Sequence, residues 1–393
     1  MKINIIFLII SFLQLMAALM LLSSCTSSQH NIIVGQNLNL NSYQNQKGEF
    51  QNIYPSEMLG ETIYDKIDFL KDEEKAKKEY FNFGFKHDNI NIDLTKGFIP
   101  DDFIVKPNLD RLKNNNEKTQ ITWLGHASFL IQFGHGTNIL TDPTFYNLPF
   151  AFLFDRLKRV SPSIVKEDNL DFVSAITISH NHFDHLDFET INNFNTDKVS
   201  FFVPLNLQKK FNSSFQSVTA MGWYASQKYK DLTISFLPAN HWSKRSLWDR
   251  NKTLWGGYLF ENNNKKIYFT GDTGYSQIFN DIKKRYGPID VCLIPIVAYK
   301  PVHYRHSHLS PENALQVAKD LDCKIMIPWG YGTFTLGHEH VLEPLRRLLK
   351  AYADGKSVDN KSNYNFELKI LKMGETFELD STEISIPKGV HPK

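Results

Sequence analysis

Short apolar runs separated by polar loops dominate the chain from about residue 119 onward. Runs such as SAITIS (174–179) and VCLIPI (291–296) are apolar at successive positions, which is typical of strands buried on both faces. Between some of these runs, SPENALQVAKDLD (310–322) and LEPLRRLLKAYADG (342–355) repeat apolar positions at helical spacing. This alternation predicts an α/β or α+β fold in which helices cover two sheets, and not a helical bundle or a membrane barrel.

The residues before this region have a different composition. Residues 25–60 are rich in Asn, Gln and Ser and poor in aliphatic side chains, so we expect a tether that forms no core. Residues 67–83 have the pattern of a short amphipathic helix, within an extension over 61–118 that should pack on the body. The main domain is predicted to cover residues 119–380.

The first residues of the chain indicate export and anchoring. Lys2 precedes an almost unbroken apolar run, Ile5–Leu22, which predicts a signal peptide over residues 1–24. At about 1.5 Å per residue this run would nearly span a bilayer, so a retained anchor helix is the alternative. The sequence LSSC that ends at Cys25 resembles the lipobox of bacterial lipoproteins. That resemblance implies lipidation of Cys25 and a place in the bacterial cell envelope, at the outer membrane or its periplasmic face.

Charge and cysteine content narrow the possible partners and metal ligands. The 44 basic and 42 acidic residues give a net charge of +2, so the charge balance offers no support for a nucleic-acid partner. Cys292 and Cys323 lie in apolar, strand-like runs, and we expect both to be buried, inert thiols. No CxxC pair is present, so any metal must be held by histidines and carboxylates.

The segment SHNHFDHLD (179–187) carries the strongest chemical signal. It follows a predicted strand directly and contains four side chains that bind metals well: His180, His182, Asp184 and His185. Packing alone does not explain so many of them in one loop. His241 and Asp272 also come just after predicted strands, although such a histidine is often structural and an aspartate in GDTG is often only a turn former. Together they fit one metal site built from several strand ends.

These motifs resemble a known family. HxHxDH, the later histidine and GDTG resemble the metallo-β-lactamase-fold hydrolases. TWLGHASFLIQ, ILTDP, HLSPENA and GTFTLGHEHVLEP, in that order between residues 119 and 346, look like its N-acylphosphatidylethanolamine-hydrolysing phospholipase D branch. The resemblance implies an αββα sandwich with two Zn²⁺ ions at one edge. It assigns His180, His182 and His241 to the first metal, Asp184 and His185 to the second, and Asp272 to both.

One ligand of the family pattern is missing. Where relatives read like IPIHWGTF, residues 327–334 read IPWGYGTF, which places Gly330 at the last histidine of the second site. The second site is then weaker, uses water, or recruits His308, His338 or His340, and a single-metal enzyme is the alternative.

The resemblance also implies roles around the metals. Asp184 and Asp272 would orient a hydroxide held by the metals, and His308 would donate to the leaving oxygen, unless His308 only helps to begin the following helix. Five further side chains are expected to orient ligands or contact substrate: His126, Asp142, Trp242, His338 and His340.

The segment 145–162 suggests a membrane partner. It is aromatic first and then carries Arg156, Lys158 and Arg159, which fits either a membrane surface or a buried loop with a solvated end. The leading hypothesis is a phospholipase D-type phosphodiesterase acting on N-acyl phosphatidylethanolamine or a related phospholipid. The alternatives are a hydrolase of the same fold acting on a lactone, ester or small phosphodiester, and an envelope lipoprotein that binds metal without turnover.

Overall fold

Two β-sheets form the centre of the protein, in a computed structural model that describes residues 30–34, 43–57, 62–66, 103–262, 265–355 and 364–379. The strands of the first sheet are β1 (Asn31–Ile33), β2 (Thr119–Gly125), β3 (Ser128–Gln132), β4 (Asn138–Thr141), β5 (Ala175–Thr177), β6 (Ser200–Pro204), β7 (Ser217–Met221) and β15 (Thr376–Leu379). Those of the second are β8 (Ala225–Tyr229), β9 (Leu232–Leu237), β10 (Gly257–Glu261), β11 (Lys266–Phe269), β12 (Ile289–Pro295), β13 (Cys323–Trp329) and β14 (Glu367–Leu368).

The strand order explains why so many loops meet at one edge. It is β1-β7-β6-β5-β4-β3-β2-β15 in the first sheet and β14-β13-β12-β11-β10-β9-β8 in the second. Strands β4 to β7 run parallel, and so do β11 to β13, whereas β2, β3 and β4 alternate in direction, as do β9, β10 and β11. The carboxyl ends of β2, β4 and β5 therefore share one edge of their sheet, and those of β9, β11 and β13 share one edge of theirs.

Helices cover the outer faces of both sheets. The α-helices are α1 (Leu109–Lys113), α2 (Phe188–Ile191), α3 (Ile278–Tyr286), α4 (Pro311–Asp320) and α5 (Glu343–Ala353). Ser310 caps α4 by accepting a hydrogen bond from the Asn313 N–H, and Pro311 occupies its first turn. No helix in the described ranges is long and apolar enough to span a bilayer. The apolar run Ile5–Leu22 lies outside those ranges.

Alternation along the strands divides the core into two layers. Phe129 and Ile131 of β3 pack between the sheets, where the Phe129 ring lies 6.4 Å from that of Phe269, whereas Leu130 joins Ile176 in the outer layer. Because both faces of a central strand are covered, its residues are apolar at successive positions. The predicted class, two packed sheets between helices, is confirmed.

The prediction that residues 25–60 form no core is wrong for the part that the structure describes. Strand β1 pairs with β7, and the Phe50 side chain is 1% exposed in the core between the sheets. The Asn52 side-chain oxygen accepts hydrogen bonds from the His241 N–H at 3.1 Å and from Trp255 Nε1 at 2.9 Å. Few apolar residues suffice here, because main-chain and side-chain hydrogen bonds hold the segment. The predicted helix over 67–83 lies outside the described residues.

Cys292 and Cys323 are buried as expected, but the expectation that they are inert thiols is wrong. Cys292 in β12 and Cys323 in β13 form a disulfide, with their Cα atoms 6.1 Å apart. The two cysteines are 31 residues apart in the sequence, and only the pairing of β12 with β13 brings them together. That pairing cannot be seen in their spacing.

Candidate metal centre

The metal-ligating side chains lie in loops at the carboxyl ends of the strands. His180, His182, Asp184 and His185 follow β5. His241 follows β9, and Asp272 follows β11. Each strand fixes the point from which its side chain is aimed, and the facing edges of the two sheets bring the groups together.

The first group consists of three imidazoles. His182 Nδ1 lies 2.7 Å from His180 Nε2 and 3.3 Å from His241 Nε2. Ligand atoms about 2.0 to 2.1 Å from a tetrahedral metal lie roughly 3.3 Å from each other, so this spacing suits a metal. His241 is oriented from behind, because its Nδ1 donates to the Ser307 carbonyl at 2.8 Å.

The second group shares a carboxylate with the first. His185 Nε2 lies 3.4 Å from Asp184 Oδ2 and 3.3 Å from Asp272 Oδ2, and the same Asp272 oxygen is 3.8 Å from His241 Nε2. His185 Nε2, which lies between the two carboxylates, is buried and makes no hydrogen bond. Buried nitrogens without hydrogen bonds among carboxylates are what a metal site leaves when only the protein atoms are considered, so these residues fit a metal pair.

The protonation states of the first group also suit a metal. Burial holds the pKa of His180 and of His241 well below its ordinary value and lowers the pKa of His182 to about 4. Burial alone would raise the pKa of Asp184 and Asp272, but the neighbouring histidines outweigh it, and both pKa values lie well below the usual range. Neutral imidazoles and ionised carboxylates are the forms that bind metals.

Comparison with known proteins agrees with this geometry. The profile of the Beta-lactamase superfamily domain matches residues 137–331. The chain is 35% identical over 254 residues to the N-acyl-phosphatidylethanolamine-hydrolyzing phospholipase D 1 of Caenorhabditis elegans, covering 60% of this chain and 71% of that protein. The chain belongs to the metallo-β-lactamase-fold hydrolases, in this phospholipase D branch. The mitochondrial phospholipase D of the same name from Saccharomyces cerevisiae is 33% identical over 240 residues, 58% of this chain and 50% of that protein.

Solved structures support the fold of this metallo-hydrolase. A possible metal-dependent hydrolase from Veillonella parvula has a TM-score of 0.53 at 16% identity and covers 67% of this chain and 100% of that one. The metallo hydrolase Igni18 from Ignicoccus hospitalis has a TM-score of 0.51 at 20% identity and covers 68% of this chain and 100% of its own.

In this hydrolase Asp142 lies behind the second group and orients it. The carboxylate is fully buried after β4 and accepts a hydrogen bond from His185 Nδ1 at 2.7 Å and from the Ser179 N–H at 2.7 Å. The Ser179 hydroxyl donates to the same carboxylate. With its proton held on Nδ1, His185 presents the Nε2 lone pair to the metal position.

Not all the other predicted residues reach the centre. An open cavity beside it is lined by His126, Trp242, His308 and Gly330, among others, and His308 Nδ1 is 3.6 Å from Asp272 Oδ2. His338 and His340 are absent from the ligand groups formed by the described residues. The His338 N–H donates to the Lys300 carbonyl, and His340 Nδ1 accepts from the Leu342 N–H. Neither fills the place of the missing histidine.

The structure shows why residue 330 is a glycine, which no pattern in the sequence indicates. Gly330 has a φ of +99°, a conformation that other residues rarely adopt, and a Cβ built there would lie 2.5 Å from Val297 Cγ2. Val297 thus occupies the space that a side chain at position 330 would enter. A histidine at that position would require both a different backbone and a smaller neighbour.

Proposed function

We propose that the protein is a zinc-dependent phosphodiesterase of the phospholipase D type, which hydrolyses N-acyl phosphatidylethanolamine or a related phospholipid. The observation that carries the proposal is the coincidence of two features. The chain is similar to two relatives named for this activity, and its loop His180–His185 lies against His241 and Asp272 beside an open cavity. That cavity gives an anionic head group access to the centre.

Two metals fit the groups described above, and histidine and carboxylate ligands suit zinc. Bound there, they would supply positive charge to a phosphoryl oxygen and lower the pKa of water. The protein side chains set the geometry around that charge. Asp184 and Asp272, both ionised, accept hydrogen bonds from the attacking water and orient it toward phosphorus.

His308 is placed to act on the substrate. It lines the cavity next to Asp272, and burial lowers the pKa of its imidazole. A neutral imidazole still donates one N–H, so His308 can hydrogen-bond a phosphoryl oxygen or the leaving oxygen.

Product analysis tests this function. The metal-loaded full chain is incubated with N-acyl phosphatidylethanolamine, other phospholipids, a lactone and a carboxylic ester, and products are identified by mass. We expect water to add at phosphorus, which gives a phosphatidic acid and an N-acylethanolamine. Turnover confined to the lactone or the ester would overturn the proposed substrate class, and no turnover at all would favour a metal-binding lipoprotein.

A membrane surface is the proposed partner, and two exposed apolar segments support it. Phe152 is 81% exposed between Phe150 and Phe154, and the exposed Arg156 and Lys158 follow closely. In the second segment, residues 247–248, Trp248 is 87% exposed. Aromatic side chains beside cations suit the boundary between acyl chains and phosphates.

Hydrogen bonds connect the residues just before both segments to the metal-binding loop. Just before the first, the Thr144 hydroxyl donates to the Asp184 carbonyl at 2.9 Å. Just before the second, Arg245 Nη1 donates to the Leu186 carbonyl at 2.7 Å, and its guanidinium lies 4.2 Å from the centre of the Phe183 ring. Docking of these segments on a bilayer would therefore bring the metal centre near the lipid.

Phe152→Asp and Trp248→Asp should each weaken binding to vesicles of phosphatidylethanolamine and phosphatidylglycerol by about tenfold or more, because each removes a large apolar side chain from the docking surface. Co-sedimentation measures the binding. Val105→Asp changes an exposed apolar residue outside both segments and should bind like the wild type. Equal binding by all the proteins would refute docking through these segments.

In the same proposal, lipid on Cys25 holds the protein in the bacterial cell envelope. The Cys292–Cys323 disulfide supports a place outside the cytoplasm, because disulfides persist mainly in oxidising compartments. Cys25→Ala should leave the membrane fraction or accumulate as an unprocessed precursor. A processed, membrane-bound variant, seen by fractionation and intact mass, would rule out the lipid anchor.

A further inference from the structure

Among the ligands that the family pattern assigns in this chain, the second metal has fewer than the first. Asp184, His185 and the shared Asp272 remain, while Gly330 offers no side chain. Val297 closes the space beside Gly330. The missing ligand must then be another side chain of the protein or a water molecule.

His126 is the side chain next to this position. Its Nε2 lies 3.1 Å from Asp184 Oδ2, and its ring centre lies 5.2 Å from that of His185. Ligand atoms of His126, Asp184 and His185 all lie within 4.8 Å of one another. The distance of 3.1 Å is close to the separation of roughly 3.3 Å expected for two ligands of one tetrahedral metal. His308 instead belongs to the group with His241 and Asp272, on the side of the first metal.

The backbone at His126 is held in an uncommon conformation. Its φ is +46°, in the left-handed region, which non-glycine residues adopt rarely and mostly where the surroundings require it. The His126 N–H donates to Thr333 Oγ1 at 2.8 Å, and its carbonyl accepts from Trp123 Nε1 at 2.9 Å. Thr333 lies three residues after Gly330. The loop that lacks the family's last histidine ligand therefore also fixes the position of His126.

The chemical state of the ring is also compatible with metal binding. His126 is 3% exposed, and its Nδ1 is buried with no hydrogen-bond partner. Without a metal, Nε2 is hydrogen-bonded to Asp184; a metal between the two atoms would take the place of that proton, which Nδ1, with no partner of its own, can carry instead. The Trp329 and Phe334 rings lie edge-on to the imidazole and limit its movement.

We propose that His126 Nε2 is a direct ligand of the second metal and supplies the nitrogen that Gly330 cannot. This inference rests on the metal site of the proposed function and deepens it. It replaces the role of orienting metal ligands or contacting substrate that the sequence suggested for His126. The same arrangement predicts that the second metal binds tightly in the wild type.

Metal titration of His126→Gln separates ligation from orientation. The glutamine amide can still donate a hydrogen bond to Asp184 but is a poor zinc ligand. We expect the wild type to bind two tight equivalents of zinc, and His126→Gln to bind one, with the other weakened at least about 100-fold, beyond the effect typical of an orienting residue. His308→Gln, a matched change at the other side of Asp272, should keep both. The Co²⁺-substituted proteins should show the same difference in their visible spectra.

Two tight equivalents in His126→Gln would overturn the proposal, as would loss of one equivalent in His308→Gln alone. X-ray absorption of the zinc-loaded wild type decides the matter if a variant does not fold. The spectrum should show one more imidazole ligand than the four of His180, His182, His185 and His241. A count of four imidazoles would refute ligation by His126. These readouts contain no substrate, so they stay separate from the test of phospholipid hydrolysis.

Discussion

His182→Ala should abolish turnover and lower the bound metal, and Asp272→Asn should have a similar effect. His182 Nδ1 lies between the nitrogens of His180 and His241, so its removal leaves the first metal with two imidazoles. Asp272 belongs to both groups through one oxygen. Loss of its charge also removes one of the two carboxylates that face His185 Nε2 and the carboxylate 3.8 Å from His241 Nε2.

Metal analysis and activity assays on the same preparations measure this effect. The matched control is His135→Asn, because His135 is an exposed histidine on the loop between β3 and β4, remote from the centre. Cys292→Ala is unsuitable as a control, since it would break a disulfide. Full activity in His182→Ala would refute the assignment of the first group.

Asp142→Asn should weaken the second metal by about 10- to 100-fold, the usual effect of losing a group that orients a ligand. The Ser179 N–H needs an acceptor at the Oδ1 position, so the amide nitrogen of asparagine would replace Oδ2 and face His185 Nδ1 and the Ser179 hydroxyl. If it donates to Nδ1, the His185 proton moves to Nε2, the atom that must bind the metal. The substitution thus changes the tautomer without removing a ligand.

The weaker binding of the second metal can be measured by zinc titration, with the activity assayed at each zinc concentration. Activity should fall at limiting zinc and recover partly in excess zinc, since every direct ligand is still present. Asp197→Asn makes the same chemical change at an exposed position and should behave like the wild type. An unchanged affinity in Asp142→Asn would show that the tautomer of His185 is set by something else.

The sequence predicted the features of this hydrolase that depend on local pattern. The buried strands and the helices that cover them follow from apolar periodicity. The residue types of the loop His180–His185 indicate metal binding. His241 and Asp272 could be assigned to the same site because each follows a strand. Convergence of strand ends at one edge is a general property of such sheets.

The features that the sequence did not predict depend on contacts between distant residues. Val297 closes the space at Gly330 from a neighbouring strand end, and no local pattern indicates this. Phe50 is one of few apolar residues in a polar segment, so no local pattern shows that it is buried against the body. The environment of His126 is likewise set by Asp184 and Thr333, far along the chain.

Strand β1 has a consequence for how the enzyme would meet its substrate. If Cys25 carries lipid, the chain between it and Asn31 can extend to about 20 Å at most, at 3.3 to 3.6 Å per residue. Asn31 is fixed at the edge of the first sheet by its pairing with Thr219. With that anchor the body would stay within about one bilayer thickness of the lipid surface. Phospholipids would then reach it by lateral diffusion, and its effective concentration would be set by membrane area, not by cell volume.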